Sequence, residues 1–367
     1  MIHAVYKRSF NLIFALMITA CASNQVDTHR NYPAQVKTST RIATTGKLNI
    51  QYDRQSAEDQ TRLTPSYDYS AAMLTGTYAN SFAVRNFIQH MVHQYGFSEA
   101  YLNGLFSQAH RLDSVIRLEN PEPYTGPAKP RLGSWTRYRN KFLTEAHISN
   151  GVEFWSNNAD AITRASAMYH VDPEYIVAII GVETYFGRNI GKTCIFDALT
   201  TLAFDTHRRS AFFTAELENF LLMTREESYE PRQPVGSWAG AMSLGQFMPS
   251  SFRRLAVDFN HDGRRDLWHQ HDAIGSVAHY FSRSGWRLNN PVAEHAGKSF
   301  GNGIIDLSTY NGDEYWRVYP NFKVIKSYNN SNKYAMAVHQ LAQAIKQQYY
   351  ATAYKENSYY VPQHLNP

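Results

Sequence analysis

The feature that most constrains this chain is an apolar run interrupted by one acid, IVAIIGVETYFG at Ile176 to Gly187. Four of its residues share a helical face at i, i+3, i+4 and i+7, namely Ile176, Ile179, Ile180 and Glu183. The spacing therefore predicts a buried helix that carries Glu183 on its apolar face. Asp172 is placed to cap this helix, Pro173 suits its first turn, and Gly187 can end it.

A carboxyl group on an apolar stripe is costly to ionise, so the pattern predicts a raised pKa for Glu183. A carboxylic acid that stays protonated near neutral pH can donate a proton to a leaving group. The alternative is that Glu183 pairs with an arginine and only supports the structure, since structural ion pairs also perturb pKa values.

The overall composition limits the classes of partner. The chain has 367 residues, which suggests two domains or one large core with lobes. Its net charge of +5 suits an anionic polymer or surface, but it has no basic run of five residues and no nucleic-acid motif. We therefore expect no nucleic-acid partner. Aromatic residues make up 14% of the chain, and exposed aromatic faces suit sugars or proteins.

The N-terminus, residues 1–21, reads as a targeting segment. Lys7 and Arg8 precede a short apolar stretch, Asn11 to Ala20, that is too short for a permanent membrane span. The following boundary, ITAC ending at Cys21, resembles a bacterial lipobox, in which the cysteine is acylated and anchors the protein to a membrane. A plain secretory signal or an uncleaved anchor is the alternative. Ala22, and not Asp, follows Cys21, and this pattern resembles lipoproteins that are sorted to the outer membrane. We therefore expect the protein at the periplasmic face of that membrane in a Gram-negative bacterium.

Acylation of Cys21 would leave Cys194 as the only other cysteine, which excludes an intramolecular disulfide. We predict that Cys194 is a small buried apolar residue of a helix.

Residues 22–80 are polar with little periodicity and read as a largely disordered tether. The catalytic region is expected at 81–367, with globular sequence starting near Phe82.

The rest of the chain favours a mostly α protein with a small β portion, an α+β class in which helices dominate. Helical patterns are expected at 83–96, 98–112, 135–146, 151–170, 193–203, 208–227, from Pro249, up to Gly285, and in a terminal helix at about 332–352. Residues 121–133 contain four prolines and predict an extended linker. Alternating runs at about 288–328 predict a few short strands.

The loop at 258–272, DFNHDGRRDLWHQHD, resembles an EF-hand calcium loop. Its candidate ligands alternate along the chain, with a sharp turn at Gly263, and are Asp258, Asn260, Asp262, the carbonyl of Arg264, and Asp272. His269 stands where an EF-hand has glutamate, and Asp272 could close a longer loop. We predict a structural calcium ion, with a metal-free turn rich in Asp and Asn as the alternative.

Together, GVETYFG and SWAGAMSLGQFMPSSF resemble the goose-type lysozyme and lytic transglycosylase superfamily. The similarity is closer still to the membrane-bound lytic murein transglycosylase B family. It covers nearly the whole globular part in ordered blocks such as HRLDSVIRLE, WTRYRNKF, GVEFW, RRSAFF, DGRRDLW, DAIGSVAHYF and YNNSNKYAMAVHQL. The family also carries a lipobox and an EF-hand-like calcium loop, in agreement with the two features described above.

This resemblance implies a lysozyme-like core with an additional α-helical domain and a small β domain. It implies a monomeric enzyme that binds peptidoglycan glycan strands and cleaves the β-1,4 bond between N-acetylmuramic acid and N-acetylglucosamine. Glu183 would act first as acid and then as base, giving a 1,6-anhydro sugar with no cofactor for catalysis. A muramidase that hydrolyses the same bond, or a non-catalytic peptidoglycan-binding lipoprotein, are the rival hypotheses.

The resemblance also implies groove residues, each with a structural alternative of turn capping, core packing or a solvated helix start. They are Tyr138, Arg208, Arg209, Ser237, Gln246, Phe247, Met248, Tyr280, Tyr328 and Tyr334. A tyrosine offers a sugar both a flat apolar face and a hydroxyl group. The two arginines would meet the lactyl or peptide carboxylates of muramic acid.

Two further expectations concern a second catalytic carboxylate and the length of the β domain. Glycosidases usually need a second carboxylate, yet near Glu183 the sequence offers only Glu174, nine residues back, and Asp197 on another element. A single acid assisted by the substrate needs none. Between Pro291 and Tyr315 the chain is also shorter than the family pattern, which predicts a reduced β domain.

Overall fold

The structure is a computed structural model that describes residues 69–122, 131–297 and 301–359, with side chains of the last helix given to residue 352. The predicted signal segment, Cys21 and most of the tether lie outside the described residues, as does most of the proline-rich linker. Within the described ranges, no helix is both long and apolar enough to cross a membrane.

Thirteen α-helices dominate the described chain, which confirms the predicted fold class. They are α1 Phe82–Tyr95, α2 Glu99–Ser107, α3 Asp113–Glu119, α4 Ser134–Arg139, α5 Glu145–Asn157, α6 Ala159–Tyr169, α7 Pro173–Thr184, α8 Ile195–Phe204, α9 Ser210–Glu226, α10 Pro249–Leu255, α11 Gln270–Arg283, α12 Pro320–Tyr328 and α13 Asn332–Tyr359. The predicted pattern at 151–170 divides into α5 and α6 at Asn158. The helix expected at 135–146 is shorter and ends at Arg139.

Five short strands complete the fold. Strands β1 Thr193–Cys194 and β2 Val235–Gly236 form one antiparallel pair. Strands β3 Ala293–His295, β4 Ile304–Thr309 and β5 Gly312–Val318 form an antiparallel sheet in the order β3-β5-β4. The predicted β portion at 288–328 is therefore too long, because its last part is α12. Pro320 supplies the first turn of that helix, where its missing N–H costs nothing.

Helix α7 lies at the centre of the molecule. It packs against α5, α6, α11 and α13, and its residues from Ile176 to Ile180 have no exposed surface. Burial on all sides explains why nearly every position is apolar. The helix therefore holds the backbone on which Glu183 is placed in a fixed orientation.

The ends of α7 differ in part from the prediction. Pro173 occupies the first turn as expected. Asp172 makes no capping bond with its side chain; its carboxylate accepts hydrogen bonds from Trp286 Nε1 at 2.8 Å and from the backbone N–H of Asn289 at 3.1 Å. These two donors lie far along the chain, so the helix start is tied to the loop after α11. The helix also ends at Thr184, before Gly187.

The boundary of the folded part lies earlier than the predicted residue 81. Tyr69, Leu74 and Tyr78 are buried in the same core as the helices. The Tyr78 hydroxyl donates to Asp205 Oδ2 at 2.7 Å, and the Tyr69 hydroxyl donates to Glu230. Residues 69–80 therefore pack on the domain, since three aromatic or aliphatic side chains fix a segment that has no helical periodicity.

Cys194 also differs from its prediction. It lies in β1 and directly precedes α8, and it is only partly buried. Its thiol donates to the carbonyl of Arg232 at 3.5 Å, and burial raises the pKa of the thiol. This environment favours the protonated thiol, so Cys194 is poorly suited to act as a nucleophile.

Candidate active site

Glu183 is the penultimate residue of α7 and is the centre of the site. Its side chain keeps some contact with solvent, and its Oε1 accepts a hydrogen bond from the Tyr334 hydroxyl at 2.5 Å. Burial raises the pKa of Glu183 to about 7, and the bond from Tyr334 acts in the opposite direction. A substantial fraction of the side chain is therefore protonated at neutral pH, as a general acid requires.

The chain turns away from the helix immediately after the acid. Tyr185, Phe186 and Gly187 all have positive φ, at 54°, 59° and 84°. Left-handed backbone is unfavourable for aromatic residues, and such outliers gather at functional sites. The Phe186 ring lies over Gly181, where a Cβ atom would come within 2.6 Å of it. Gly181 therefore makes room for the turn that leaves Glu183 at the open end of the helix.

Thr184 connects this turn to the loop that the sequence predicted as a groove wall. Its Oγ1 lies 3.0 Å from the carbonyl of Leu244 and accepts from the N–H of Gly187 at 3.0 Å. The buried hydroxyl group of Thr184 therefore ties the backbone at Gly187 to the backbone at Leu244. Neither Thr184 nor Gly181 was predicted as a site residue, although both lie within two residues of Glu183 in the motif.

Three aromatic residues predicted for the groove, Phe247, Tyr280 and Tyr328, form one cluster near Glu183. The centroid of the Tyr328 ring lies 4.6 Å from that of Tyr280 and 6.1 Å from that of Phe247. The Tyr328 hydroxyl donates to the carbonyl of Gly245 at 2.6 Å. Burial, then the charge of Glu183, raises the pKa of Tyr138, Tyr328 and Tyr334, which places all three near the acid.

Ser237, Gln246 and Met248 shape the wall and make contacts within it. Ser237 Oγ accepts from the N–H of Ala241 at 3.0 Å. Gln246 has φ of 51°, and its Nε2 donates to the carbonyls of Ser243 at 2.9 Å and Ile190 at 3.2 Å. Met248 is buried directly before α10. Ser237 and Gln246 thus make hydrogen bonds to the backbone of the loop, as the turn-capping alternative expects.

Arg208 and Arg209 lie beside a buried acid. Both form ion pairs with Glu119, which has no exposed surface, and the Arg208 Nε lies 3.2 Å from Glu119 Oε1. A buried carboxylate needs cationic partners, and removing them would leave it uncompensated. Both arginines therefore link α3 to the start of α9, and Arg208 keeps 63% of its side chain exposed.

The other acids considered for catalysis have partners elsewhere. Glu174 is buried and accepts from Lys346 Nζ at 2.7 Å. Asp197 accepts from the N–H of His110 at 3.0 Å and pairs with Arg232. Among the described residues, no second carboxylate contributes to the pKa shift of Glu183, whose causes are burial and Tyr334. The site therefore presents one acid.

The loop at 258–272 gathers oxygen atoms around its own backbone. Asp258 Oδ1 and Oδ2 accept from the N–H groups of Asp262 and Gly263 at 3.1 and 2.9 Å, and Asn260 Oδ1 accepts from Asp262 at 3.1 Å. Gly263 has φ of 93°, as the sharp turn requires. No group of three or more His, Cys, Asp or Glu side chains in the described ranges forms a metal cluster. The donors here are two carboxylates, one amide and backbone carbonyls, which fits a hard cation such as calcium.

Asp272 has a different place from the predicted ligand. It is fully buried, and its two oxygens accept from the N–H groups of Phe259 at 2.8 Å, Asn260 at 3.1 Å and Asp266 at 2.8 Å. The Asp272 carboxylate thus fixes the backbone of the loop through its hydrogen bonds. We therefore leave Asp272 out of the candidate ligand set.

Comparison with known proteins agrees with this site. The Transglycosylase SLT domain family matches residues 79–303 and 294–343. The membrane-bound lytic murein transglycosylase B of Escherichia coli (strain K12) is 43% identical over 311 residues, which cover 76% of this chain and 86% of the relative. Fold and site thus define an enzyme of the lytic transglycosylase class.

Two solved structures support the same assignment. The Escherichia coli lytic transglycosylase SLT35 in complex with calcium matches with a TM-score of 0.70 and 41% identity, covering 78% of this chain and 99% of that one. The soluble lytic transglycosylase SltB1 from Pseudomonas aeruginosa matches with a TM-score of 0.67 and 41% identity, covering 72% and 98%. The chain belongs to the transglycosylase SLT domain family, in the group of the membrane-bound lytic murein transglycosylases B.

Proposed function

We propose that this protein cleaves the β-1,4 bond between N-acetylmuramic acid and N-acetylglucosamine in peptidoglycan without water, with Glu183 as the only acid and base. The observation that carries the proposal is the single raised-pKa carboxyl group at the end of α7, bonded to Tyr334 and flanked by an aromatic wall. Membership of the lytic murein transglycosylase family supports it.

The reaction follows from the state of Glu183. The protonated carboxyl group donates its proton to the glycosidic oxygen as the bond from that oxygen to C1 breaks. The acetamido oxygen of the muramic acid attacks C1, so no protein nucleophile is required. The Glu183 carboxylate then takes the proton of the C6 hydroxyl, whose oxygen attacks C1 and displaces the acetamido oxygen. The product is a 1,6-anhydro sugar, and the acid is restored.

Tyr334 fits both halves of this cycle. Its hydroxyl donates to Glu183 and so stabilises the carboxylate that exists between the two proton transfers. Burial favours the protonated form that begins the cycle. The two effects oppose each other and leave the pKa of Glu183 near neutrality, where one group can serve as acid and as base.

Digestion of purified sacculi tests the proposal directly. Mass spectrometry of the released muropeptides is expected to show anhydro ends, which are lighter by one water than reducing ends. Reducing muramic acid ends alone would establish the rival muramidase. Intact sacculi after prolonged incubation with folded protein would instead favour a binding lipoprotein that does not cleave.

The loop at 258–272 is proposed to hold a structural calcium ion through Asp258, Asn260, Asp262 and the carbonyl of Arg264. The alternating oxygens of this loop support the assignment, and a related structure was solved in complex with calcium. The ion would stabilise this part of the fold by neutralising two neighbouring carboxylates and holding the loop between α10 and α11.

Saturating calcium should therefore raise the melting temperature, by about 5 to 10 °C over the protein in chelator if calcium is present at about a hundred times its Kd. The double variant Asp258→Asn/Asp262→Asn should lose this response. The variant Asp113→Asn/Asp160→Asn removes two exposed acids elsewhere and should keep it. Identical melts of the unmodified protein in calcium and in chelator would rule out the ion.

We further propose that acylated Cys21 attaches the enzyme, as a monomer, to the periplasmic face of the outer membrane in a Gram-negative bacterium. The lipobox-like sequence supports the anchor. The relative in Escherichia coli is described as membrane-bound. The residues between Cys21 and Tyr69 would then separate the membrane from the folded domain that works on glycan strands.

A further inference from the structure

A cavity of about 370 Å³ lies against the turn that follows Glu183. One wall is formed by Phe186, Gly187 and Arg188, and the opposite wall by α5. Trp268 and Gln270, near the end of the loop at 258–272, line a third side. Leu244 completes the lining, so four segments build the cavity, and one of them follows Glu183 in the chain.

Opposite charges stand side by side at this cavity. Glu153 Oε2 lies 3.4 Å from Arg188 Nη2, and both side chains remain more than half exposed, at 59% and 51%. An exposed ion pair at this distance contributes little to folding stability, since water screens it. Folding alone therefore gives little reason for both charges at this place, and both remain accessible to a ligand.

The surroundings hold Arg188 in position. Its guanidinium lies over the ring of Tyr185, 5.4 Å from the centroid. The Tyr185 hydroxyl in turn accepts a hydrogen bond from the side-chain amide of Asn150, which also lines the cavity. A cation fixed over an aromatic face loses less freedom when it binds a carboxylate. The remaining lining offers amide groups, from Asn157 and Gln270, and aromatic surface.

We propose that this cavity binds the peptide stem of peptidoglycan at a residue that carries a free ammonium group and a free carboxylate. Glu153 would receive the ammonium group and Arg188 the carboxylate, while the amides of Asn150, Asn157 and Gln270 bond to the peptide backbone. Amide-lined polar surface with an adjacent anion and cation matches a zwitterionic peptide better than a neutral sugar, which has no charge to pair with either.

The position of the cavity agrees with the geometry of the substrate, and in this respect the inference rests on the proposed function. The peptide stem is attached to muramic acid, the same sugar whose C1 reacts at Glu183. A stem that leaves this sugar starts close to the acid, and the inference places it on the side of the turn at 185–187. The turn at 185–187 borders the cavity and directly follows the acid.

Binding of a synthetic stem peptide to the full chain tests the inference without relying on catalysis. Titration calorimetry should show Kd rising at least about tenfold in Glu153→Gln/Arg188→Gln, because two charge-assisted contacts are lost. The single variant Arg188→Gln should discriminate poorly between the peptide and its carboxyl-amidated analogue, whereas the unmodified protein should favour the free carboxylate. Glu294→Gln/Arg317→Gln, which removes an exposed pair at the same distance of 3.4 Å between β3 and β5, should bind as the unmodified protein does.

Three results would overturn the inference: no binding of the peptide to the unmodified protein, equal Kd in the variant Glu153→Gln/Arg188→Gln, or equal loss in the control on β3 and β5. Melting temperatures measured alongside show that each variant is folded. Cleavage of sacculi is measured on the same samples. Absence of anhydro products there would count against the proposed reaction, whereas the calorimetry by itself decides whether the cavity binds the peptide.

Discussion

Glu183→Gln is expected to lower the release of anhydro-muropeptides from sacculi by about a thousandfold, within the range that general acid–base catalysis supplies. Glutamine has nearly the same shape and can still meet the Tyr334 hydroxyl, yet it has no proton to give to the glycosidic oxygen. It also cannot take the proton of the C6 hydroxyl, so both halves of the reaction lose their acid or base. Product masses over a time course measure the loss.

Glu174→Gln is the matched control for this substitution. It changes the same residue type on the same helix, but its carboxylate bonds to Lys346, away from the cleft chemistry. This variant is expected to lose some stability and to retain cleavage of sacculi. If Glu183→Gln digested sacculi as quickly as the unmodified protein, another residue would have to be the acid.

Cleavage is also expected to fall as pH rises through about 7, since only protonated Glu183 can begin the reaction. The decline in kcat/KM should approach tenfold per pH unit above that pKa. Tyr334 donates to the carboxylate and lowers the pKa of Glu183, so Tyr334→Phe removes a stabiliser of the charged form. The pKa of Glu183 should then rise, and the alkaline decline should move to higher pH. A pH profile of kcat/KM on soluble glycan strands measures both effects.

Tyr328→Phe separates a direct effect on Glu183 from a general effect of losing a cleft hydroxyl. The Tyr328 hydroxyl donates to the carbonyl of Gly245 at 2.6 Å and not to the acid. This variant can change the rate, but its alkaline decline should stay near the original pH. A decline in Tyr334→Phe that moved to lower pH would contradict the account, because it would mean that Tyr334 favours the protonated acid.

Much of the scaffold could be predicted because it depends on neighbours along the chain. Helical spacing of isoleucines predicted α7, and an amphipathic pattern with Gly96 between its halves predicted α1 and α2. The alternation of Asp and Asn with Gly263 predicted the turn geometry at 258–263. Each of these signals extends over a few residues, where bond geometry and periodicity decide the local structure.

The hydrogen-bond and ion-pair partners of charged side chains could not be predicted from local sequence patterns. Asp172 is well placed to cap α7, yet Trp286 and Asn289 take its oxygens. Arg208 and Arg209 match a groove motif, yet Glu119 on α3 binds both. Asp272 looks like a ligand and instead accepts three backbone N–H groups. Buried polar groups bond to whatever donor the packed fold brings nearest, and sequence spacing does not give that distance.

The sequence by itself determined the helix class, the acid and the position of that acid at the end of an apolar run, because helical periodicity and burial preference act over a single turn or two. Only the tertiary structure decided which hydroxyl meets Glu183, that the chain turns left-handed directly behind it, and that Arg188 and Glu153 face one cavity. The physical reason is that these contacts join α7 and the turn after it to α5 and α13, and packing of distant segments alone sets which side chains meet.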